Sequence, residues 1–314
     1  MQITESTDGG AGFVNLPGEL EQALIKAAGA LPAWDMAGTF LSAATIDRYR
    51  DALASVPLFV ETAESLRAQL RTDKTGYAVV RLGNVAQALG FGDEFLRLTT
   101  AILAEVATPF QPFLRWPLWK EIGTNLSANP GMSTGIGYNA FHMDLVNATQ
   151  PPDYSVLLCV RPDPLGAGDS IMSDARAAVS RLAPSSQRLL AEAVYRYGSF
   201  FELEDVGDEY RPFPVLDGRP EDRGFVRFTA KMLTGELDLS AEHIRAAKDL
   251  AGQLIAGQLS FLLRTGDFLV VNQHKWVHGR EPLAAGQEKV TADKRRLLLQ
   301  LFLRDTAGAG TGVS

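Results

Sequence analysis

Hydrophobic and polar positions along this chain change period several times, and each change marks an element. From Pro17 to about Leu70 the spacing is helical: Leu20, Leu24 and Ile25 recur among Glu19, Glu21 and Lys26, and Ile46-Asp-Arg-Tyr-Arg-Asp-Ala-Leu53 repeats it. Thr75-Gly-Tyr-Ala-Val-Val-Arg-Leu82 predicts a strand opened by a glycine. Residues 93–106 predict a helix with Leu96, Leu98, Ile102, Leu103 and Val106 on its apolar side. Residues 121–140 have no sustained period and contain five Gly or Pro, which predicts a long loop of functional importance, part of a lid. Short strands are then predicted near 140–146, 154–161 and 169–173, and helices near 174–182 and 185–195. A polar, turn-rich stretch follows over 203–224, then a strand near 224–229, a long helix over 240–263, and closing strands at 267–273 and 296–304.

Helices first and last but one, with short strands between them, suggest a mixed α and β protein: a β core wrapped by helices, not regular βαβ alternation. One catalytic domain is expected over residues 1–314. It would comprise a helical part (12–72), the β core with helical insertions (75–305) and frayed ends at 1–11 and 306–314.

Composition narrows the function by exclusion. The net charge is −7 and there is no Lys/Arg-rich run, so nucleic acid is not an expected partner. The one cysteine, Cys159, lies in the apolar run Ser155-Val-Leu-Leu-Cys-Val160; it reads as a small buried hydrophobe in a reducing compartment. The start, MQITESTDGGAGF, has no basic stretch followed by an apolar one, and no segment approaches the roughly 20 apolar residues of a membrane span. A cytoplasmic location is therefore expected.

The candidate chemistry lies among four histidines: His142, His243, His274 and His278. In His142-Met143-Asp144, residues i and i+2 of a strand share a face, so the imidazole and the carboxylate converge. With His278 they make the two-histidine, one-carboxylate set of non-haem iron(II) oxygenases, which leaves metal positions open for an oxo-acid and dioxygen. His-x-Asp alone is a weak signal; its company strengthens it. On the strand Arg296-Leu-Leu-Leu-Gln-Leu-Phe-Leu-Arg304, Leu297, Leu299, Leu301 and Leu303 share one face, expected to pack outward on helices. Arg296, Leu298, Gln300, Phe302 and Arg304 share the other, which should face the interior. There Arg296 is placed to hold a dicarboxylate in a bidentate pair.

These motifs resemble the clavaminate synthase-like branch of the TauD/TfdA family of iron(II)/2-oxoglutarate-dependent oxygenases. The resemblance lies in Phe141-His-Met-Asp144 followed by Pro152-Asp-Tyr-Ser-Val-Leu-Leu-Cys-Val-Arg-Pro-Asp163. It continues in Leu263-Arg-Thr-Gly-Asp-Phe-Leu-Val-Val-Asn272 and His278-Gly-Arg280, and covers roughly Gly76 to Asp305. It implies a double-stranded β-helix (jelly-roll) core, with His142, Asp144 and His278 as iron ligands. It also implies Arg296 as principal anchor of the 2-oxoglutarate cosubstrate and Ser170 as a hydroxyl near the cosubstrate carboxylate. The implied reaction uses O2, releases succinate and CO2, and oxidises a small molecule, most simply by hydroxylation. The implied substrate is an amino acid or amino-acid-derived intermediate of specialised metabolism, free or carrier-tethered.

Three departures qualify the resemblance. The metal carboxylate is Asp144 where the branch commonly has Glu. Gln300 stands where an arginine often follows the anchor by four residues, so a second cationic contact is missing. Val226-Arg-Phe-Thr-Ala-Lys-Met232 has no acid where relatives acting on basic amino acids carry aspartates, which favours a neutral or anionic substrate. Arg280 reads either as a substrate contact or as the partner of a core carboxylate such as Asp267. Desaturation or ring closure needs no different ligand set. A non-catalytic jelly-roll binding protein and a zinc hydrolase on the same three ligands remain the alternatives from other classes.

Overall fold

The computed structural model describes residues 12–197, 212–218, 224–233 and 239–305. Its frame is built on the eight-residue strand Leu297–Arg304. Leu299, Leu301 and Leu303 enter a large apolar cluster with the helices, whereas Leu298, Gln300 and Phe302, and Arg296 just before them, line an interior cavity. The two faces divide as the alternation predicts, because successive side chains of a strand point to opposite sides.

Leu297–Arg304 pairs antiparallel with Tyr154–Arg161 on one side and with Thr108–Phe110 and Lys120–Gly123 on the other. Beyond Tyr154–Arg161 the larger sheet continues through Asp267–Asn272 and Tyr77–Arg81 to Phe13–Asn15, whose pairing is parallel. A four-stranded antiparallel sheet runs in the order Leu259–Phe261, Ser170–Asp174, Trp276–Arg280, Asn139–His142. The two sheets form the jelly roll that the motifs imply.

Helices Gly18–Ala28, Ala43–Ala54, Phe59–Gln69 and Asp93–Ala104 cover the outer face of the larger sheet, burying Leu24, Tyr49, Leu53, Leu66 and Phe95 with Val156, Phe268 and Leu301. Ala175–Ser180, Pro184–Leu190 and Ala241–Ala256 pack with Ile171, Val277 and Phe141 of the smaller sheet. Ser42, Asp174 and Ser240 cap three of these helices by accepting a hydrogen bond from the third residue on. A third cluster holds Val79, Cys159, Met172, Leu269, Val271 and Leu298, drawn from both sheets. Cys159 is fully buried there, as expected of a small hydrophobe, and burial pushes its thiol up to about 12.

Five expectations change, the first being the strand expected near 224–229, which shortens to Phe225–Val226. The helix expected over 240–263 stops at Ala256. Gly257 ends it, Arg181 donates to the Gln253 carbonyl, and Leu259–Phe261 becomes an edge strand on Ser170–Met172. The expected loop 121–140 begins and ends inside strands Lys120–Gly123 and Asn139–His142, leaving 124–138 as connection. Trp276–Arg280, not foreseen as a strand, is central in the smaller sheet and buried at all five positions, so it shows no polar alternation. The helices expected over 174–182 and 185–195 shorten to Ala175–Ser180 and Pro184–Leu190. Both ends expected to fray, and most of the turn-rich stretch 203–224, lie outside the described residues. Among the described residues no helix is long and apolar enough to cross a membrane.

Candidate metal centre

His142 ends the strand Asn139–His142, and His278 stands directly across from it in the middle of Trp276–Arg280. The two rings lie 4.6 Å apart between centroids. The neighbouring Gly279 permits this close pairing, since a Cβ there would meet the Asn139 carbonyl oxygen at 2.4 Å. The strand itself stops at His142, two residues short of the Asp144 that the His-x-Asp reading places on it. Pairing nonetheless continues: the Met143 amide donates to the Phe228 carbonyl at 2.9 Å, and the Met143 side chain enters the second apolar cluster. Asp144 therefore returns to the His142 side. Its amide donates to Gln273 Oε1 at 2.6 Å, and Gln273 Nε2 donates to the Pro152 carbonyl at 2.9 Å.

The three side chains converge. His142 Nε2 is 3.8 Å from Asp144 Oδ1, and His278 Nε2 is 3.4 Å from Asp144 Oδ2. One ligand atom from each lies within 4.8 Å of the others, and among the described residues no other His, Cys, Asp and Glu group meets that test. The donors also have the right chemistry. His142 Nδ1 donates to the Ala140 carbonyl at 2.8 Å, which fixes the tautomer and leaves the Nε2 lone pair at the centre. Burial and the neighbouring His278 push the His142 pKa down to about 3, so the ring is neutral, as a metal ligand must be. Burial alone would raise the Asp144 carboxyl. The two imidazoles, the Ser155 hydroxyl and Lys120 outweigh it and hold the carboxyl below the usual range. Ser155 Oγ donates to Asp144 Oδ2 at 2.5 Å and Gln300 Nε2 to the same oxygen at 3.1 Å. Gln300, which reads in the sequence as a missing cation, thus supports the carboxylate. The buried His278 Nδ1 has no hydrogen-bond partner among the described residues.

The remaining histidines are elsewhere. His274 faces Asp153 at 2.6 Å and stacks on Phe225, and His243 bonds Ser240 and Glu192. A zinc pair of His274 and His278 is not formed.

A cavity of about 150 Å³ adjoins the three side chains and is also lined by Arg296, Ser170 and Arg280. Arg296 is 8% exposed, and its guanidinium makes no hydrogen bond or ion pair with the described residues. Burial, reinforced by Arg280, pushes its pKa down to about 10, still far above neutrality. A buried, charged, planar donor without a partner among the described residues is arranged to donate to a carboxylate. Ser170 begins the strand Ser170–Asp174 opposite Arg280 and shares a small recess with Arg296, Cys159 and Leu298. Arg280 is committed to the connection 124–138: it donates to the carbonyls of Gly135 at 2.7 Å and Gly137 at 2.8 Å, and to that of Glu281. Its partners are thus carbonyls rather than Asp267, and through them the connection supplies Met132 and Ser133 to the cavity wall.

Two imidazoles and one carboxylate match the donor set of non-haem iron(II) oxygenases. Residues 54–300 match the family model described as taurine catabolism dioxygenase TauD, TfdA family. The chain belongs to the TauD/TfdA family. As a TauD/TfdA enzyme it is a non-haem iron(II) oxygenase that uses 2-oxoglutarate and O2. No curated protein sequence matches it. Among solved structures, an asparagine oxygenase in complex with Fe(II), (2S,3S)-3-hydroxyasparagine and succinate is 20% identical, with TM-score 0.71 and 94% of each chain covered. The non-haem iron oxygenase OrfP with Fe and α-ketoglutaric acid is 20% identical, with TM-score 0.72 and 94% of each chain covered. OrfP with Fe, succinate and (3R,4R)-dihydroxy-L-Arg is 18% identical, with TM-score 0.71, covering 96% of this chain and 97% of that one. At these identities the likeness establishes the shared fold.

Proposed function

We propose that this TauD/TfdA oxygenase hydroxylates an unactivated C–H bond of an amino acid or amino-acid-derived small molecule. His142, Asp144 and His278 hold iron(II), Arg296 holds the far carboxylate of 2-oxoglutarate, and the Ser170 hydroxyl assists it. The reading is carried by the buried His–Asp–His group opening onto the same cavity as a buried guanidinium without a partner among the described residues. The amino-acid substrate is supported by the relatives, since the asparagine oxygenase is captured with a hydroxylated asparagine and OrfP with hydroxylated arginines.

Bound iron(II) and 2-oxoglutarate supply the oxidising chemistry: 2-oxoglutarate and O2 are consumed, succinate and CO2 leave, and one oxygen atom enters the substrate C–H bond. The chain's own residues do the rest. The fixed tautomer of His142 and the hydrogen bonds from Ser155 and Gln300 orient donors before any metal arrives. Arg296 turns a flexible diacid into one oriented ligand, because a guanidinium fork donates to both oxygens of a carboxylate in one plane. Phe113, Trp116 and Phe302 give the cavity an aromatic wall that limits water.

The decisive experiment is to add iron(II) and then 2-oxoglutarate to the protein without oxygen and record the visible spectrum. A weak metal-to-ligand charge-transfer band is expected. It should vanish in Asp144→Ala and His278→Ala and weaken in Arg296→Ala. A folded, iron-loaded protein that gives no band would overturn the assignment of these residues.

A further inference from the structure

The metal cavity has a neighbour. A second cavity, of about 300 Å³, takes its lining from residues 39–40, 110–113 and 145–150 and from Arg304. Phe113, Leu145 and Asn147 line both cavities, so the two spaces adjoin across them. Leu145 follows Asp144 directly and stands in the left-handed backbone region, at φ 54°, which a branched side chain seldom adopts. Its carbonyl accepts from the Ala148 amide at 2.9 Å. The chain thus turns sharply on leaving the metal centre and enters the wall of the second cavity.

The first cavity is small for what it has to hold. Its volume of about 150 Å³ must take 2-oxoglutarate beside Arg296 as well as the group to be oxidised. Small-molecule sites usually offer about 300–1,000 Å³, a range that the two cavities reach together. Aromatic contacts also join their walls. Phe40 stacks on Phe110 at 5.3 Å between centroids, Phe110 lies 6.3 Å from Phe302, and Phe302 lines the metal cavity. The Arg304 guanidinium sits 4.6 Å from the centroid of the Phe110 ring and donates to Gln150 Oε1 and to the carbonyls of Gln150 and Pro151. The second cavity therefore presents aromatic rings, and the one charged residue among its described lining residues is already engaged. Such a lining suits a flat, uncharged group, which gains by stacking and by leaving water. A small free amino acid has no such group; one carrying an aromatic acyl, amide or peptide extension does.

We propose that the second cavity is a subsite for the far end of the substrate, and that the enzyme prefers an amino acid carrying an uncharged aromatic extension in amide linkage to the free amino acid. This rests on the reading of the first cavity as the iron(II)/2-oxoglutarate site. Phe113, Leu145 and Asn147 form the neck through which the extension passes. The extension contributes affinity and orientation, leaving the oxidation at the metal end unchanged.

The test varies the extension on each amino acid. A panel of proteinogenic L-amino acids is titrated into the oxygen-free iron(II)·2-oxoglutarate complex, each in free form, as its N-acetyl and N-phenylacetyl derivatives and as its benzylamide. Perturbation of the charge-transfer band reads binding. At least one phenylacetyl or benzylamide form is expected to bind about ten times or more tighter than its free and N-acetyl forms, the worth of one buried, stacked ring. Ala148→Phe fills the second cavity with a ring and should cut that gain to less than about threefold. Phe40→Ala removes half of the stacked pair and should reduce the gain as well. Free or N-acetyl amino acids binding as tightly as every aromatic derivative would overturn the proposal, as would a gain unmoved in both variants. Absence of the band in the wild-type protein counts against the site assignment instead. Calorimetric titration of the metal-free protein with the same ligands then decides: a preference for aromatic derivatives that Ala148→Phe abolishes upholds the subsite, and no preference overturns it.

Discussion

The side-chain amide of Gln300 donates to Oδ2 of Asp144 at 3.1 Å, on the oxygen that also accepts from Ser155. One carboxylate oxygen is thereby pinned from two strands, Leu297–Arg304 and Tyr154–Arg161. Gln300→Leu keeps the volume and removes the donor, so iron(II) affinity should fall by roughly tenfold or more, the usual effect of losing an outer partner of a metal ligand. Oxygen-free iron titration checks this. An unchanged affinity would remove Gln300 from the metal centre.

Arg296 makes the opposite kind of prediction, because its burial without a partner costs stability. Arg296→Met should stabilise the protein without cosubstrate by about 1–3 kcal/mol, the penalty of an unsatisfied buried donor. The same variant should lose the stabilisation that 2-oxoglutarate gives the wild type. Denaturant unfolding with and without 2-oxoglutarate measures both effects, and a destabilised variant would contradict the account.

The connection between Lys120–Gly123 and Asn139–His142 is tightly folded at Gly135. A Cβ there would lie 2.3 Å from the Asn129 carbonyl oxygen and 2.6 Å from that of Pro130, and these backbone atoms cannot rotate aside. Gly135→Ala should therefore displace the cavity wall that carries Met132 and Ser133. Substrate KM is expected to rise severalfold or more, with iron and 2-oxoglutarate dissociation constants within about twofold of wild type. Equal loss of all three would mean that the connection supports the whole fold.

Asp153 links three segments: Oδ1 meets His274 Nε2 at 2.6 Å, Oδ2 accepts from the Asp305 amide at 2.9 Å, and its own amide donates to Leu303. Burial pushes its carboxyl up, but these hydrogen bonds and the Arg304 charge prevail and hold it below the ordinary value. A depressed carboxyl contributes stability that is present above the unfolded-state value of about 3.9 and lost as the pH falls through the folded value. Asp153→Asn should thus lower stability at pH 7 and flatten the acid limb. Urea unfolding at neutral pH and through pH 5 to 3 follows it, and parallel curves for both proteins would refute the link.

Much of the site was legible because it obeys period two. His142 and Asp144 are adjacent on one side of the chain, and Arg296 shares a face with Leu298 and Gln300 that the leucines leave to the interior. What escaped reading had physical reasons. Trp276–Arg280 is covered on both faces, so no polar residue marks its outer side. The role of Gln300 depends on a carboxylate arriving from a remote segment, and an amide carries no sign of its partner. Lys120 follows a stretch without periodicity, and only the register with Gln300 brings it to the metal centre. The binding of Arg280 to Gly135 and Gly137 is backbone recognition, which the identity of neither glycine announces.

The two faces of Leu297–Arg304 separate what evolution can change. Leu299, Leu301 and Leu303 are under a volume constraint: truncating any of them would leave a hole worth about 2–5 kcal/mol in the packing against the helices. Leu298, Gln300 and Phe302 answer instead to whatever occupies the cavity. Along this strand fitness should therefore follow a two-residue rhythm, with folding defects at odd numbers and altered catalysis at even ones. A lineage drifting toward a new substrate can then rewrite Leu298 and Phe302, while Gln300 keeps its hold on Asp144 and the scaffold stays as it is.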